Sequence, residues 1–437
     1  MKRSKVILFG TVCILMLALS WLTAITAQTD EERQEELLLQ AKEYIQDEIY
    51  VRAVPLLEEA AGYEDDHTLE AEELLKEVYL QLIDQSGYAQ KYTALLDKQM
   101  SRDHASGACF QEAAEYYFEH FRTDDAFSVL RAGIAKTEDE GLKAYYESVR
   151  YQFKMQNDLF EDVTATCNGA IQVKSNGRWG MADAGGELVI PCEYEKISTF
   201  SDGEAIVKKN GVISGVDADN NRVALLHEDA SDFGNYNENR LGLKTDDGWV
   251  LSNGDFQTGT VYLEELGTFS DGGAPAKING KWGIINTAGN DWLIPAEYDN
   301  IIQDELGRAY KSGTVFVKKG DQVLLLVNGE TVGQSYEDAC PFADGWAAVK
   351  KNGKWGFIDS EGTVQIDFQF DDARSFGQHL AAVEIDGQWG YVNVKGEVVI
   401  APEFLEARSF YGGSAPVKTE TGWRFITLLE YEEGSGL

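Results

Sequence analysis

The pattern in the sequence that most resembles a metal site consists of Asp217, Asp219 and Asn221, followed by Glu228. Oxygen ligands at alternate positions with a glutamate eleven residues after the first are typical of a helix–loop–helix calcium loop. Arg222 occupies the position where that loop requires glycine for its sharp turn, and the flanking residues alternate as strands do. The pattern therefore favours an acidic surface turn, and we predict no metal-binding residues.

Adjacent carboxylates at Asp371 and Asp372 are the best candidates for acid–base chemistry. Glycoside hydrolysis needs two carboxylates about 5–10 Å apart across a cleft. Here both belong to a strand end that carries acidic residues each time it recurs. His227 and His379 have no serine or cysteine nucleophile motif beside them, and no phosphate-binding glycine loop is present. We therefore predict that the protein is not an enzyme, with no catalytic residues and no cofactor.

The composition describes a folded and strongly acidic chain. Its 437 residues are 43% hydrophobic and 11% aromatic, and 38 basic against 74 acidic side chains give a formal net charge of −36. Such a charge repels phosphates, so we expect no nucleic-acid partner and favour cationic partners. The cysteines form no CxxC pair; a Cys167–Cys192 disulfide is conceivable, and buried free thiols are the expectation. The five are Cys13, Cys109, Cys167, Cys192 and Cys340.

The N-terminus carries a targeting segment. Lys2, Arg3 and Lys5 precede an apolar run from Val6 to Ala27, and acidic residues follow at once. This charge step predicts that the N-terminus is cytoplasmic and that the rest of the chain lies outside the cytoplasm. Residues 1–27 are either a signal peptide cleaved after Ala27 or an N-terminal membrane anchor, and the sequence leaves both open.

Residues 28–166 form the predicted helical region. Apolar residues recur every three or four positions with almost no proline, which predicts three helical hairpins and a final helix over Leu142–Met155. The second helices align on Ala53, Lys91 and Ala126, and the segment resembles tetratricopeptide (TPR-like) hairpins. That resemblance implies a concave peptide-binding face; a helical spacer is the alternative.

From Cys167 onward, glycine becomes frequent and a unit of about 34 residues recurs. Its best copy reads Asn-Gly-Lys-Trp-Gly-Phe-Ile-Asp from Asn352 to Asp359, with an Asn-Gly hairpin turn before the Trp-Gly pair. Glycine recurs seven residues after four of the tryptophans, at Gly186, Gly289, Gly362 and Gly396. The Trp position occurs eight times, with Ile or Gln in two copies and a spacing of 33 to 40 residues, at residues 179, 213, 249, 282, 322, 355, 389 and 423.

These units resemble WG repeats, a module found in arrays in bacterial proteins. Together with the predicted targeting segment, that resemblance implies a membrane-anchored or secreted protein of the bacterial cell envelope. The resemblance covers residues 167–427 and is followed by an acidic tail, residues 428–437. Each unit is too small to bury its own apolar face, so we expect the tryptophans to pack between stacked units and the following glycines to admit a neighbouring backbone. Two architectures remain open. We predict the propeller-like ring, because eight is a plausible number of copies to close one. The alternative is an open β superhelix, which does not need complementary halves; the first and last copies begin with the same hairpin and do not offer such halves.

The predicted fold class is therefore α+β multidomain, with TPR-like helices followed by an all-β array of about eight WG repeats. The predicted function is non-enzymatic binding or scaffolding outside the cytoplasm through the helical and β-repeat surfaces, with an unknown protein or cell-wall component as partner. The alternative is a structural spacer or a binder of envelope glycan or peptide. Glycan binding would use exposed aromatic residues in loop-like stretches, namely Tyr236, Tyr262, Tyr336 and Tyr411.

Overall fold

The computed structural model describes residues 30–63, 67–225, 229–253 and 258–431. The chain divides into two compact units, one up to Tyr146 and the other from Glu147 onward. The predicted targeting segment, residues 1–27, lies outside the described residues, as does most of the acidic tail. Within the described part of the chain, no helix has the length and apolar character needed to span a membrane.

The first unit is helical, as predicted. Leu37, Ala41, Ala53 and Leu57 are buried and form the start of an apolar core. The described residues of this unit form seven successive helices, with α2 packed on α3, α3 on α4 and α5 on α6. They are α1 (30–46), α2 (Tyr50–Ala60), α3 (Thr68–Gln81), α4 (Tyr88–Ser101), α5 (Gly107–Glu119), α6 (Thr123–Thr137) and α7 (Glu140–Val149).

The second unit contains eight four-stranded antiparallel sheets, the blades of a β-propeller. Blades 1 to 4 comprise β2 (Asp162–Val163), β3 (Ala170–Ser175), β4 (Arg178–Asp183) and β5 (Leu188–Tyr194); β6 (Lys196–Ile197), β7 (Glu204–Lys209), β8 (Val212–Asp217) and β9 (Arg222–Leu225); β10 (Asp232–Phe233), β11 (Arg240–Thr245), β12 (Gly248–Asn253) and β13 (Thr258–Leu263); and β14 (Glu265–Leu266), β15 (Gly273–Ile278), β16 (Lys281–Asn286) and β17 (Trp292–Tyr298).

In every blade the chain runs from the inner edge to the outer edge, except in blade 8, whose outer strand precedes all the others in sequence. Blades 5 to 8 comprise β18 (Asn300–Ile301), β19 (Thr314–Lys319), β20 (Gln322–Val327) and β21 (Glu330–Tyr336); β22 (Asp338–Ala339), β23 (Trp346–Lys351), β24 (Lys354–Asp359) and β25 (Val364–Phe370); β26 (Asp372–Ala373), β27 (Leu380–Ile385), β28 (Gln388–Asn393) and β29 (Val398–Phe404); and β30 (Glu406–Ala407), β31 (Ser414–Thr419), β32 (Gly422–Leu428) and β1 (Phe153–Met155).

The ring closes through β1, which pairs with β32 so that Lys154 lies opposite Thr427. Phe160 continues this outer edge, and its N–H and C=O both bond to the backbone of Trp423. The predicted propeller-like ring is therefore confirmed over the open superhelix, while the argument that the first and last copies cannot complement each other is wrong. The closing strand lies before the predicted array boundary at residue 167. It also shortens the predicted helix Leu142–Met155, which ends at Val149.

Among the described residues of the propeller, the hydrophobic core is divided into eight clusters, one between each pair of neighbouring blades. Trp355 of blade 6 packs with Phe376 of blade 7, and Trp389 of blade 7 packs with Phe410 of blade 8. A cluster containing Phe160, Val173 and Trp423 joins blade 8 to blade 1. The tryptophans thus lie in the layer between units, as the sequence predicted.

In blades 1, 4, 6 and 7 the tryptophan is followed by a glycine, which admits the outer strand of its own blade. A Cβ atom on Gly356 would lie 2.7 Å from the carbonyl oxygen of Ile366. The pairing of β24 with β25 shifts register at this point, which brings the outer backbone inward. Gly180, Gly283 and Gly390 are in the same situation. The predicted close backbone approach therefore occurs within a blade, while the tryptophan contacts occur between blades.

Candidate binding surfaces and the closed central channel

The acidic residues of the repeat form hydrogen bonds and ion pairs within the fold. The first group of them consists of the carboxylates that precede the inner strands. Asp371 pairs with Lys354 and accepts a 2.9 Å hydrogen bond from the N–H of Asp386, which starts the hairpin turn of its blade. Asp372 accepts a bond from the N–H of Ala373 at 2.8 Å. Other blades cap the same hairpin turn with Glu161, Glu195, Glu264, Asp299 and Glu337. The two adjacent carboxylates therefore cap backbone in separate places.

The candidate calcium loop is also a capped turn. The Asp217 carboxylate accepts hydrogen bonds from the backbone N–H of Asn221 at 2.7 Å and from its side-chain amide at 3.2 Å. The backbone bond from Asn221 is the main reason that the pKa of Asp217 lies below its usual value. Asp183 and Asp359 cap the equivalent turns of blades 1 and 6. Glu228 lies outside the described residues, and the described part of the chain contains no group of three or more metal-binding side chains.

A third set of acids joins neighbouring blades through the turns that follow the inner strands. Asp271 of blade 4 accepts a 2.7 Å hydrogen bond from the N–H of Ser312 in blade 5, and Asp344 of blade 6 accepts one from Gln378 in blade 7. Glu238 does the same for Gly272. Asp271 and Asp344 belong to turns that read Phe-Ser-Asp-Gly from Phe269 and Phe-Ala-Asp-Gly from Phe342, so this recurring segment has a role in ring assembly.

The repeated tryptophans are held within a radial row of four side chains. In blade 4, Glu265 on the inner strand pairs with Lys277 at 2.9 Å, and the Lys277 ammonium lies 5.8 Å from the Trp282 ring centre. Tyr298 lies opposite Trp282 on the outer strand. Blade 1 repeats the row with Asp162, Lys174, Trp179 and Tyr194. The tryptophans therefore build the blades, since both neighbouring strands cover them.

One end of the central channel is covered by a segment of blade 5, residues 303–309, which we call the channel insert. It accounts for the 40-residue spacing between the repeats at Trp282 and Gln322, the longest in the array. Leu306 in this segment is 1% exposed. Its carbonyl accepts a 2.9 Å hydrogen bond from the side-chain amide of Asn235 in blade 3, and Thr268 of blade 4 donates its N–H to the carbonyl of Gly307.

Ion pairs fix the insert on the far side of the ring. Glu305 lies 2.9 Å from Arg408 of blade 8, whose guanidinium is also 4.6 Å from the Trp423 ring centre. Burial raises the pKa of Glu305, and Arg408 opposes that rise. Arg308 pairs with Asp304 at 2.7 Å within the insert. Blades 5 and 8 are not neighbours, so the loops after their inner strands can meet only across the centre, and this end of the channel is closed.

The exposure of the four tyrosines named above bears on the predicted glycan binding, which requires accessible aromatic rings. Tyr236 and Tyr336 are buried, which is contrary to the exposure predicted from their loop-like surroundings. Tyr262 and Tyr411 are 49% and 45% exposed but belong to blade 3 and blade 8. The exposed pair therefore does not form one aromatic platform.

Within the helical unit, Glu72 is a fully buried acid that the sequence gave no reason to single out. It pairs with Arg102 at 2.7 Å and with Lys98 at 2.9 Å. Burial acts to raise the pKa of Glu72, but hydrogen bonds from Lys98 and Arg102 outweigh it and the pKa is lowered. The network links α3 to α4 and carries no reactive group. Glu72 lies in α3, whereas Lys98 and Arg102 lie in and just after α4. No residue spacing in the sequence predicts such a contact between helices.

Comparison with known proteins agrees with this architecture. The family model of the WG containing repeat matches five segments, so the chain contains WG repeats; the segments are 179–212, 282–322, 335–355, 355–389 and 389–423. No curated protein sequence matches the chain. The chain is thus an eight-bladed propeller built from WG repeats and preceded by a helical region, an architecture that points to a protein-interaction scaffold.

Similar solved structures include apo AztD from Citrobacter koseri, which is 11% identical and has a TM-score of 0.35 over 60% of this chain and 88% of that one. The WD40 domain of SCAP from fission yeast is 8% identical, with a TM-score of 0.36 over 63% of this chain and 98% of that one. The Cps50 (Swd1) β-propeller domain of Myceliophteria thermophila is 10% identical, with a TM-score of 0.32 over 63% and 99%. At these values the likeness carries no functional argument.

Proposed function

We propose that this protein is a non-enzymatic scaffold that works outside the cytoplasm and binds partner proteins through its helical and propeller surfaces. The observation that carries the proposal is the closed channel. The signature residues of the repeat are engaged in building blades, and the insert around Leu306 fills one end of the centre. Recognition is left to the exposed faces and rims, where the copies differ from one another.

The charge of the chain supports a protein partner. A net charge of −36 opposes binding to polyanions and favours basic protein segments. Propeller loops suit this use because a rigid ring positions them while their sequences vary. The proposed location rests on Lys2, Arg3 and Lys5 before the apolar run that ends at Ala27.

Crosslinking in intact cells tests the scaffold proposal. Photo-crosslinkable residues would be placed on the propeller rim of the full chain, and the captured proteins identified. A matched chain in which residues 1–29 are joined directly to Glu147 removes the helices but keeps the predicted targeting segment and β1, and hence the closed ring. We expect specific partners that lose crosslinks when either surface is altered. If the full chain captured no specific partner through either surface, the scaffold proposal would be refuted. If the protein in whole cells were protected from added protease, the proposed location would be refuted.

Envelope glycan or peptide binding is the second candidate, and exposed Tyr262 and Tyr411 favour it. Aromatic side chains of this kind stack on sugar rings when they are accessible. Titration with cell-wall fragments would then change the intrinsic fluorescence, and Tyr262→Ala or Tyr411→Ala would abolish the change. An unchanged signal with saturating fragments would exclude this candidate.

A further inference from the structure

Each blade ends in an outer strand whose free edge must be protected from pairing with other chains. Natural sheets protect such edges with proline, which lacks an N–H, or with charged side chains. Blades 1, 4 and 7 have Pro191, Pro295 and Pro402 in their outer strands. The outer strands of blades 2, 5, 6 and 8 carry charged residues instead, namely Arg222, Glu330, Asp367 and Lys154.

The outer strand of blade 3 has neither device. β13 reads Thr-Gly-Thr-Val-Tyr-Leu from Thr258 to Leu263, without proline or charge. It is the last strand of its sheet, and Thr258 to Tyr262 are all exposed. Val261 is 40% exposed and Tyr262 is 49% exposed. β-Branched and aromatic side chains on an uncharged edge provide the backbone groups and the side-chain surface that an added strand needs.

We propose that β13 binds an extended segment of a partner protein, which adds to blade 3 as a fifth strand. The inference rests on the proposed scaffold function and specifies its mode of recognition. The occupant is a segment rich in β-branched residues with flanking lysine or arginine, because the chain has a net charge of −36. The same charge opposes pairing of β13 with a second copy, since both chains would be strongly acidic.

The neighbouring blades supply a substitution that should block strand addition without disturbing the fold. Pro191 is three residues before Tyr194, which lies opposite Trp179. Thr260 is three residues before Leu263, which lies opposite Trp249. Thr260→Pro therefore puts proline into the part of β13 that has no ladder partner on β12, as Pro191 already lies in the part of β5 that has no ladder partner on β4. Val364→Lys is a matched control, because Val364 is an exposed residue of the outer strand of blade 6.

The test pans a phage-displayed library of random twelve-residue peptides on the full chain. We expect enriched peptides that alternate β-branched residues and carry net positive charge. Fluorescence anisotropy should show roughly tenfold weaker binding to Thr260→Pro and unchanged binding to Val364→Lys. Amide hydrogen exchange of Thr258–Leu263 should slow when the peptide binds.

Three results would overturn the inference: no enriched peptide, equal binding to Thr260→Pro, or a wild-type dimer in sedimentation that Thr260→Pro dissociates. Peptides that bind equally to Thr260→Pro would leave the scaffold function standing, because they would place recognition on another surface. Failure of the scaffold function itself would appear in the crosslinking experiment, which does not depend on β13.

Discussion

Glu305 and Arg408 lie 2.9 Å apart although they belong to blades 5 and 8, so this ion pair crosses the centre of the ring. Arg408 is 11% exposed at its side chain and also contacts Trp423. Through this ion pair the channel insert not only covers one end of the channel but also braces the ring, because it connects blades 5 and 8, which share no strand pairing. Its loss should therefore affect the stability of the whole propeller.

Arg408→Ala should lower the free energy of unfolding of the propeller by about 2 kcal/mol, after allowance for the partial exposure of Glu305. The loss arises because the buried Arg408 no longer links the partly exposed Glu305 to blade 8 and no longer packs on Trp423. Urea unfolding followed by tryptophan fluorescence measures it. Lys281→Ala is the control, because its pair with Asp299 is about half exposed; equal effects of the two substitutions would contradict the bracing role.

Removal of the closing strand should open the ring. A chain that begins at Glu147 retains β1, whereas one that begins at residue 157 lacks it and leaves blade 8 with three strands. We expect the shorter chain to be less stable by about 3 kcal/mol, since it loses Phe153 from its contact with Phe404 as well as the strand pairing. Thermal unfolding of both chains checks this, and identical melting temperatures would show that β1 does not close the ring.

Gly356→Ala should destabilise blade 6 by about 3 kcal/mol, because the new Cβ atom would lie 2.7 Å from the Ile366 carbonyl oxygen in a backbone that cannot easily withdraw. Gly234→Ala is a suitable control, because its Cβ would meet its nearest neighbour at 3.9 Å. Denaturant unfolding of both variants gives the comparison. Similar, small losses would mean that the outer strand can move outward at no cost.

The propeller should lose stability in acid. The pKa of Asp299 is lowered chiefly by its hydrogen bond with Lys281 and by the N–H of Gly320, and that of Asp371 by Lys354 and the N–H of Asp386. A carboxyl whose pKa is lower in the folded state stabilises the fold above its unfolded pKa, and that stability is lost as the pH falls through the folded pKa. Glu305 has a raised pKa and acts in the opposite direction.

We therefore expect the melting temperature to fall as the pH decreases from about 5 to 3. Asp299→Asn should make that fall shallower, because one of the titrating caps is gone, and Lys281→Gln should do so in part. Calorimetry at a series of pH values measures the slope. Parallel curves for the wild type and Asp299→Asn would show that this carboxylate does not contribute.

The sequence by itself determined the repeat. The spacing of the Trp-Gly pairs, the Asn-Gly turns and the period-2 alternation predicted eight small β units with tryptophan between them, because each signal is local and recurs. The three helix pairs followed from apolar spacing in the same way. The sequence also contains a local sign of the strand edge that closes the ring. Phe160-Glu161 repeats the aromatic–acid pair that ends other outer strands, as in Tyr194-Glu195 and Phe370-Asp371.

Only the tertiary structure decided how the ring closes, what fills it and which aromatics are buried. β1 is three residues long and carries no tryptophan, so its pairing with β32 depends on the ring bringing the two chain ends together. The insert is held by Asn235 and Arg408, which are distant in sequence and meet it only at the centre. The exposure of Tyr262 and the burial of Tyr336 likewise depend on the neighbouring blade, which no local pattern records.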